Sequence, residues 1–228
     1  MSKNNQIVLS LGGSLIIPDE IDVSFLNLFI STIKDYVSRG YSFVIITGGG
    51  KICRRYNDSL KQIVSPSNDD LDWMGISVTR LNAEFVRICF GDLAFEKVVL
   101  NPDLIPETDK PIIVGGGWKP GNSSDLSAVH SARSVGATKI INLSNIDFVC
   151  DKDPKKFPDA KPIEKMSWSD FRNLFGGEWN PGTNVPFDPI AAREAETLYY
   201  EVVILNGKNI ENLKSYFDGN SFVGTVIK

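Results

Sequence analysis

The sequence predicts an α/β fold with a mainly parallel central sheet covered by helices on both faces. Two observations predict it. Apolar runs of strand length alternate with helical patterns along the chain, the signature of repeated βαβ units. Three of those runs, IVLSL at 7–11, FVIIT at 43–47 and PIIV at 111–114, end directly in glycines. These are Gly12-Gly13-Ser14, Gly48-Gly49-Gly50 and Gly115-Gly116-Gly117. A buried strand ending in glycine lets backbone N–H groups converge on an anion, so three such loops predict a site for several phosphates.

Taken in order, strands are expected at 6–11, 42–47, 97–100, 111–114, 138–143, 201–205 and 222–227. Helices are expected at about 23–38, 51–63, 70–91, 124–135, 169–175, 188–199 and 209–217. In the first helix Phe25, Leu26, Leu28, Phe29, Ile33 and Val37 form one apolar face. The third is rich in apolar residues, among them Trp73, Met74, Ile76, Val78, Leu81, Phe85, Val86 and Ile88. That is more than one core face needs and suits either an interface or a buried helix. Ser123 or Ser124 serves as cap for the next helix, with Asp125 in its first turn. Asp188 reads as an N-cap with Pro189 at the first helical position. Between Asp147 and Lys165 the chain reads DFVCDKDPKKFPDAKPIEK, a charged, proline-punctuated loop of the kind that orders around a ligand.

A length of 228 residues allows one large domain or two small lobes, and a break between lobes would fall near residue 120. The hydrophobic fraction of 42% and charged fraction of 23% are those of an ordinary globular chain. A net charge of −4 argues against a general nucleic-acid or membrane-surface binder, and no apolar stretch is long enough to span a bilayer. The N-terminal MSKNNQ carries no signal-peptide pattern. Cys53, Cys89 and Cys150 are too few and too scattered for a zinc site or a disulfide framework, which fits a reducing cytoplasm.

The first glycine loop lacks the full G-x-G-x-x-G pattern and the P-loop lysine, so neither a Rossmann nor a P-loop reading holds. The second runs straight into a helix carrying Lys51, Arg54 and Arg55. Cations there oppose the helix dipole unless an anion sits between them. The third leads through Trp118 to Ser123, Ser124 and Asp125. His130, the single histidine, lies among Val129, Ala132 and Val135 and reads as structural. Cys89 reads as core.

The order of these motifs resembles the amino acid kinase family. They run strand–GGS, strand–GGGKxxR, DWMGIxxTRxNA, GGxxPGxSSD and SNIDxVxxKDPK. Within it, the archaeal-type branch of uridylate (UMP) kinases is most similar, over nearly the whole chain. The resemblance implies an αβα sandwich in a single domain spanning 1–228. Its acceptor half would cover about 1–120 and its ATP-binding half about 121–228. It implies ATP and Mg²⁺ as donor and metal, small nucleotides as partners, and a cytoplasmic homo-oligomer, commonly a hexamer. Gly12, Gly13 and Asp125 would surround the transferred phosphate. Gly48, Gly49, Gly50, Arg54, Asp72, Gly75, Ser123 and Ser124 would bind UMP. Ser14, Ser144, Asn145, Asp147, Cys150, Asp153 and Lys155 would bind ATP, and no side-chain metal cluster is implied. Pro181-Gly182-Thr183 and Asp188-Pro189 resemble the late segment of archaeal-type members.

The chain departs from the family in three places. Ser10 stands where many members have a lysine that touches the transferred phosphate. Phe148 and Cys150 replace the glycine and tyrosine of the usual N-V-D-G-V-Y segment. Two other functions therefore stay open: the same fold acting on a carboxylate, carbamate or isoprenoid phosphate, and a non-catalytic nucleotide- or oxyanion-binding subunit.

Overall fold

The computed structural model describes residues 6–176 and 185–228. Its elements run β1 (Gln6–Leu11), α1 (Gly13–Ile16), α2 (Val23–Ser38), β2 (Ser42–Thr47), α3 (Gly50–Ile63), α4 (Asn68–Phe90) and β3 (Ile112–Gly115). Next come α5 (Ser124–Val135), β4 (Lys139–Ser144), β5 (Val149–Cys150), β6 (Pro162–Ile163), β7 (Lys165–Met166) and α6 (Trp168–Phe175). The chain finishes with α7 (Pro189–Thr197), β8 (Glu201–Asn206), α8 (Ile210–Phe217) and β9 (Thr225–Ile227). The main sheet has the order β3-β2-β1-β4-β8-β9-β7. Its first five strands are parallel, while β9 runs antiparallel to β8 and carries β7 beside it.

Strand parity builds two cores. Leu9, Leu11, Phe43, Ile45, Leu143 and Leu205 face α2, α4 and α8, whose Phe29, Phe90 and Leu213 fill that side. Val8, Val44, Ile46, Ile140, Val202 and Ile204 face the other way, against Leu126, Val129, Phe171 and Ala192 of α5, α6 and α7. Alternate residues on every central strand are thus buried in opposite layers, as a doubly covered parallel sheet requires. Ser10 shares the parity of Val8, which turns its hydroxyl toward α5. Helix α3 has no buried residue and lies outside the core layers, joined to the fold through its N-terminus and α4.

The expected helices all form, with ends shifted by one or two residues, and the Asp188 cap and Pro189 start appear as read. One expected strand does not form. Over 97–100 there is only an isolated bridge, Val99 to Gly115, preceded by Ala94 to Ile112. Six residues there oppose four on β3, and the exposed Glu96 and Lys97 bulge out, which breaks the ladder. The expected strand at 222–227 shortens to β9. The charged loop contains the β5–β6 hairpin and β7, each strand too short to show a period of two. The Pro181-Gly182-Thr183 segment that resembles archaeal-type members lies outside the described residues.

The first two glycine loops meet backbone to backbone. A Cβ on Gly13 would fall on the carbonyl oxygen of Gly48 and 2.5 Å from the nitrogen of Gly50. Gly50 has φ +61°, and a Cβ there would fall on Gly13 and lie 2.5 Å from the nitrogen of Ser14. Gly40 also has positive φ (+88°), but has nothing within 4 Å of a Cβ. Gly50→Ala will therefore destabilise the fold more than Gly40→Ala, by about 1–3 kcal/mol in urea unfolding, because it adds overlap to backbone strain.

Candidate active site at the carboxyl ends of the strands

From β1 the chain moves outward through β2 and β3, then returns to β4 on the other side of β1. The carboxyl ends of β1 and β4 therefore diverge into loops that leave in opposite directions, where open α/β sheets bind ligands. Gly12 N–H donates to the Leu143 carbonyl (3.0 Å) and Gly48 N–H to the Leu11 carbonyl (2.9 Å), which pins the two loops to the sheet. Asn82 of α4 holds the Gly48 carbonyl from behind (2.8 Å). The N–H groups of Gly13, Ser14, Gly49 and Gly50 donate to no other group among the described residues. Four unpaired donors on two interlocked loops form an anion cradle.

The third glycine loop is anchored by one face of α4. Thr79 Oγ1 accepts from Gly117 N–H (2.8 Å), Arg80 donates to the carbonyls of Gly117 (2.9 Å) and Trp118 (2.8 Å), and Asp72 accepts from Gly121 N–H (2.7 Å). Residues 72, 76, 79 and 80 recur at helical spacing, so one stripe reaches the whole loop. Small residues are required there: a Cβ on Gly117 would lie 2.6 Å from Thr79 Oγ1. Thr79 and Arg80 belong to the TRxNA motif but carried no assignment from sequence alone, since only the fold shows what they face.

At the end of that loop Ser123 caps α5, accepting from Leu126 N–H (3.1 Å). Ser124 Oγ sits 3.6 Å from where a Cβ on Gly48 would stand. Asp125 turns inward. Its Oδ1 accepts from Ser10 Oγ (3.1 Å) and its Oδ2 from Asp188 N–H (3.1 Å). Burial pushes the Asp125 carboxyl up to about 6, helped by the nearby Asp188 carboxylate and opposed by the two hydrogen bonds. Burial also raises Asp188, against the pull of the two α7 N–H groups that it caps. Ser10 is itself buried, and Asp125 is the one acceptor of its hydroxyl among the described residues.

On the far side of β1, Ser144 ends β4, and its carbonyl accepts from Gly207 N–H (2.8 Å). Asp147 accepts from Asn206 Nδ2 (3.0 Å), which ties the loop after β4 to the end of β8. Cys150 lies on the β5–β6 hairpin, and Asp153 and Lys155 lie in its exposed turn, where Asp153 accepts from Lys155 N–H (3.0 Å). Thr225 Oγ1 fastens the hairpin at both strands, through Val149 N–H (2.9 Å) and the Ile163 carbonyl (2.6 Å).

The fold thus gathers Gly12, Gly13, Ser14, Gly48, Gly49, Gly50, Ser124 and Asp125 at one crevice, with Ser144 and Asn145 at the next strand end. Arg54 stands exposed on α3 and makes no ion pair among the described residues. Asp72 is engaged in holding the third loop. Gly75 gives α3 room, since a Cβ there would lie 3.1 Å from Cys53 Sγ. His130 is structural: its ring bridges Asp103 (2.9 Å) and Glu194 (3.1 Å), and Arg133 pairs with both carboxylates. Trp118 packs its ring on His130 with centroids 5.6 Å apart.

The model of the amino acid kinase family matches residues 5–206. The chain belongs to the amino acid kinase family. Among its family relatives, a uridylate kinase of Methanobrevibacter smithii is 33% identical, over 97% of this chain and 98% of its own. A uridylate kinase of Sulfolobus acidocaldarius is 30% identical, over 92% of this chain and 93% of its own. The crystal structure of a uridylate kinase from Archaeoglobus fulgidus superposes with a TM-score of 0.80 at 30% identity, covering 97% of this chain and 99% of that one. That of a UMP kinase from Bacillus anthracis, at 19% identity and TM-score 0.79, shares the fold. The family's αβα architecture is the one found here. No helix among the described residues is long and apolar enough to cross a membrane.

The acidity of Asp125 sets a pH dependence for the ligand-free protein. Its folded value lies above the unfolded one near 4, so the native state holds the extra proton between pH 4 and 6. Stability is then fully present below pH 4 and falls as pH rises through 6, and Asp188 acts in the same direction. Asp125→Asn will flatten this fall, which is on the order of 2 kcal/mol, in chemical unfolding across that window.

Proposed function

We propose that this member of the amino acid kinase family is a UMP kinase, transferring the γ-phosphate of ATP to UMP to give ADP and UDP. The observation that carries the proposal is the pair of interlocked glycine loops with four free N–H donors, bordered by Asp125, in a chain alike end to end to uridylate kinases. The acceptor half, about 1–120, would hold UMP, and the ATP half, about 121–228, the donor.

Phosphoryl transfer rests on positioning and charge neutralisation. The acceptor is a phosphate oxygen with a second pKa of about 6, so it is largely ionised at neutral pH and needs no general base. This agrees with His130 being locked into an ion network. The N–H groups of Gly13, Ser14, Gly49 and Gly50 would hold the transferring and acceptor phosphates without reorganising. Arg54 would clamp the UMP phosphate with a planar pair of donors, and Ser123 and Ser124 would border it. Gly75 and Asp72 shape the UMP side by setting the α3 approach and the third loop. On the donor side Ser144, Asn145, Asp147, Cys150, Asp153 and Lys155 would line the ATP site.

Mg²⁺ fits these residues. No group of three or more metal-ligating side chains exists among the described residues. Mg²⁺ however needs only one or two carboxylates when nucleotide phosphates and water complete its shell, and Asp125 supplies one at the crevice. When bound, the ion neutralises phosphate charge. Asp125, whose two oxygens are oriented by the Ser10 hydroxyl and the Asp188 N–H, would help to hold it, so its part is positional rather than basic.

The same proposal includes a cytoplasmic homo-oligomer, a hexamer by family resemblance. Leu81, Phe85 and Ile88 on the outer face of α4 are 67%, 37% and 60% exposed and form a stripe suited to a subunit interface.

A coupled ADP-release assay across UMP, CMP, dUMP and AMP tests the activity, with UMP expected to dominate. Turnover with none of the four would overturn the proposal. Arg54→Ala will raise the UMP KM by at least about tenfold, the loss of one charge-assisted hydrogen-bond pair, and an unchanged KM removes the clamp. Asp125→Asn will lower kcat by about a hundredfold while leaving both KM values within a few-fold.

A further inference from the structure

Helix α3 carries Lys51, Arg54 and Arg55 within its first two turns, against the sign of its dipole. The anion that offsets two of them belongs to the protein. Asp19 Oδ1 lies 3.3 Å from Lys51 Nζ and 3.1 Å from Arg55 Nη2, and the Asp19 carbonyl accepts from Arg55 Nη1 (3.3 Å). Arg54 has no such partner among the described residues. The backbone around Asp19 is fixed on both sides. Ile17 N–H donates to the Gly13 carbonyl and Asp22 N–H to the Ile16 carbonyl, both at 2.9 Å. Asp22 caps α2 (3.0 Å) and pairs with Lys208 beyond β8 (3.6 Å). Asp19 therefore hangs from a short tether rooted in the first glycine loop, over the helix that leaves the second.

We propose that Asp19 is an internal competitor for the acceptor phosphate, occupying Lys51 and Arg55 until a dianion displaces it, and so sets which acceptors bind. The proposal rests on the nucleoside monophosphate reading of the site. The tether keeps the carboxylate at high local concentration, which any free anion must overcome. Displacement needs no unfolding: the side chains of Asp19, Lys51 and Arg55 are 68%, 47% and 56% exposed, and such open pairs are individually weak. A phosphate monoester carries close to two charges at neutral pH, against one on a carboxylate. The dianion wins the two cations, whereas a carboxylate metabolite only exchanges like for like. Asp19 thus raises the threshold for weak anions at the cost of some affinity for the true acceptor.

Calorimetric titration of UMP without ATP, at fixed ionic strength, tests this on the wild type, Asp19→Asn and Glu20→Gln. Glu20 is exposed, has no ion pair among the described residues, and undergoes the same charge change one residue away. Asp19→Asn is expected to tighten UMP by about three- to tenfold, the release of two exposed pairs. Glu20→Gln should leave it unchanged, and uridine, which lacks the phosphate, should bind both variants like the wild type. In a Lys51→Gln/Arg55→Gln background Asp19→Asn should have no effect on UMP. Unchanged or weaker UMP binding by Asp19→Asn overturns the proposal, as does equal tightening by Glu20→Gln or a parallel change for uridine. A wild type that binds CMP or AMP but not UMP would refute the UMP assignment alone, and the same series with that nucleotide would still decide on Asp19. A wild type that binds no nucleoside monophosphate would refute both.

Discussion

The contact on which the site depends is the meeting of two backbones without side chains, Gly13 against Gly48 and Gly50. Nothing larger than hydrogen fits on either strand-to-helix turn. Where the backbones touch, the N–H groups of Gly13, Ser14, Gly49 and Gly50 stay without a partner among the described residues. A parallel sheet makes the contact possible by placing β1 and β2 side by side with their carboxyl ends level. The rest of the molecule then holds these loops still: Leu143 from below, Asn82 from behind, and α5 at the edge.

Asp125 shows how burial and orientation combine. The parity that sends Val8 into the layer under α5 also delivers the Ser10 hydroxyl to the α5 N-terminus. The start of α7 brings a backbone N–H to the other oxygen. The carboxyl is thereby fixed at two points while its environment resists ionisation, a condition that a cation from outside would relieve. In a chain with serine at position 10, the local charge is consequently left to whatever enters the crevice.

Much of this was legible in the sequence, and the failures have physical causes. The glycine-terminated strands, the Ser123 and Asp188 caps and the alternating architecture follow from backbone chemistry that acts within a few residues. The strand expected at 97–100 failed because its apolar run is real but its register is interrupted by Glu96 and Lys97, and a bulge is decided by the partner strand. Beside its expected place on the UMP side, Asp72 also holds Gly121, a role the sequence does not show. Its side chain has a partner 49 residues away, which no local pattern encodes. The basic start of α3 asks for an anion, and Asp19 supplies one from within for Lys51 and Arg55 but not for Arg54. The link from Ser10 to Asp125 spans 115 residues and becomes visible only once strand parity is known.

The fastening of the β5–β6 hairpin by Thr225 bears on how the protein is made. Strands β1, β2 and β3 and the helices between them are complete once the first half of the chain has left the ribosome. The β5–β6 hairpin lacks this fastening until Thr225 is made, the residue that completes the hydrogen bonds of Val149 and Ile163. During synthesis the glycine loops are therefore made before the hairpin can be latched. A nascent chain paused before β9 would carry both interlocked glycine loops while the hairpin still lacked its latch.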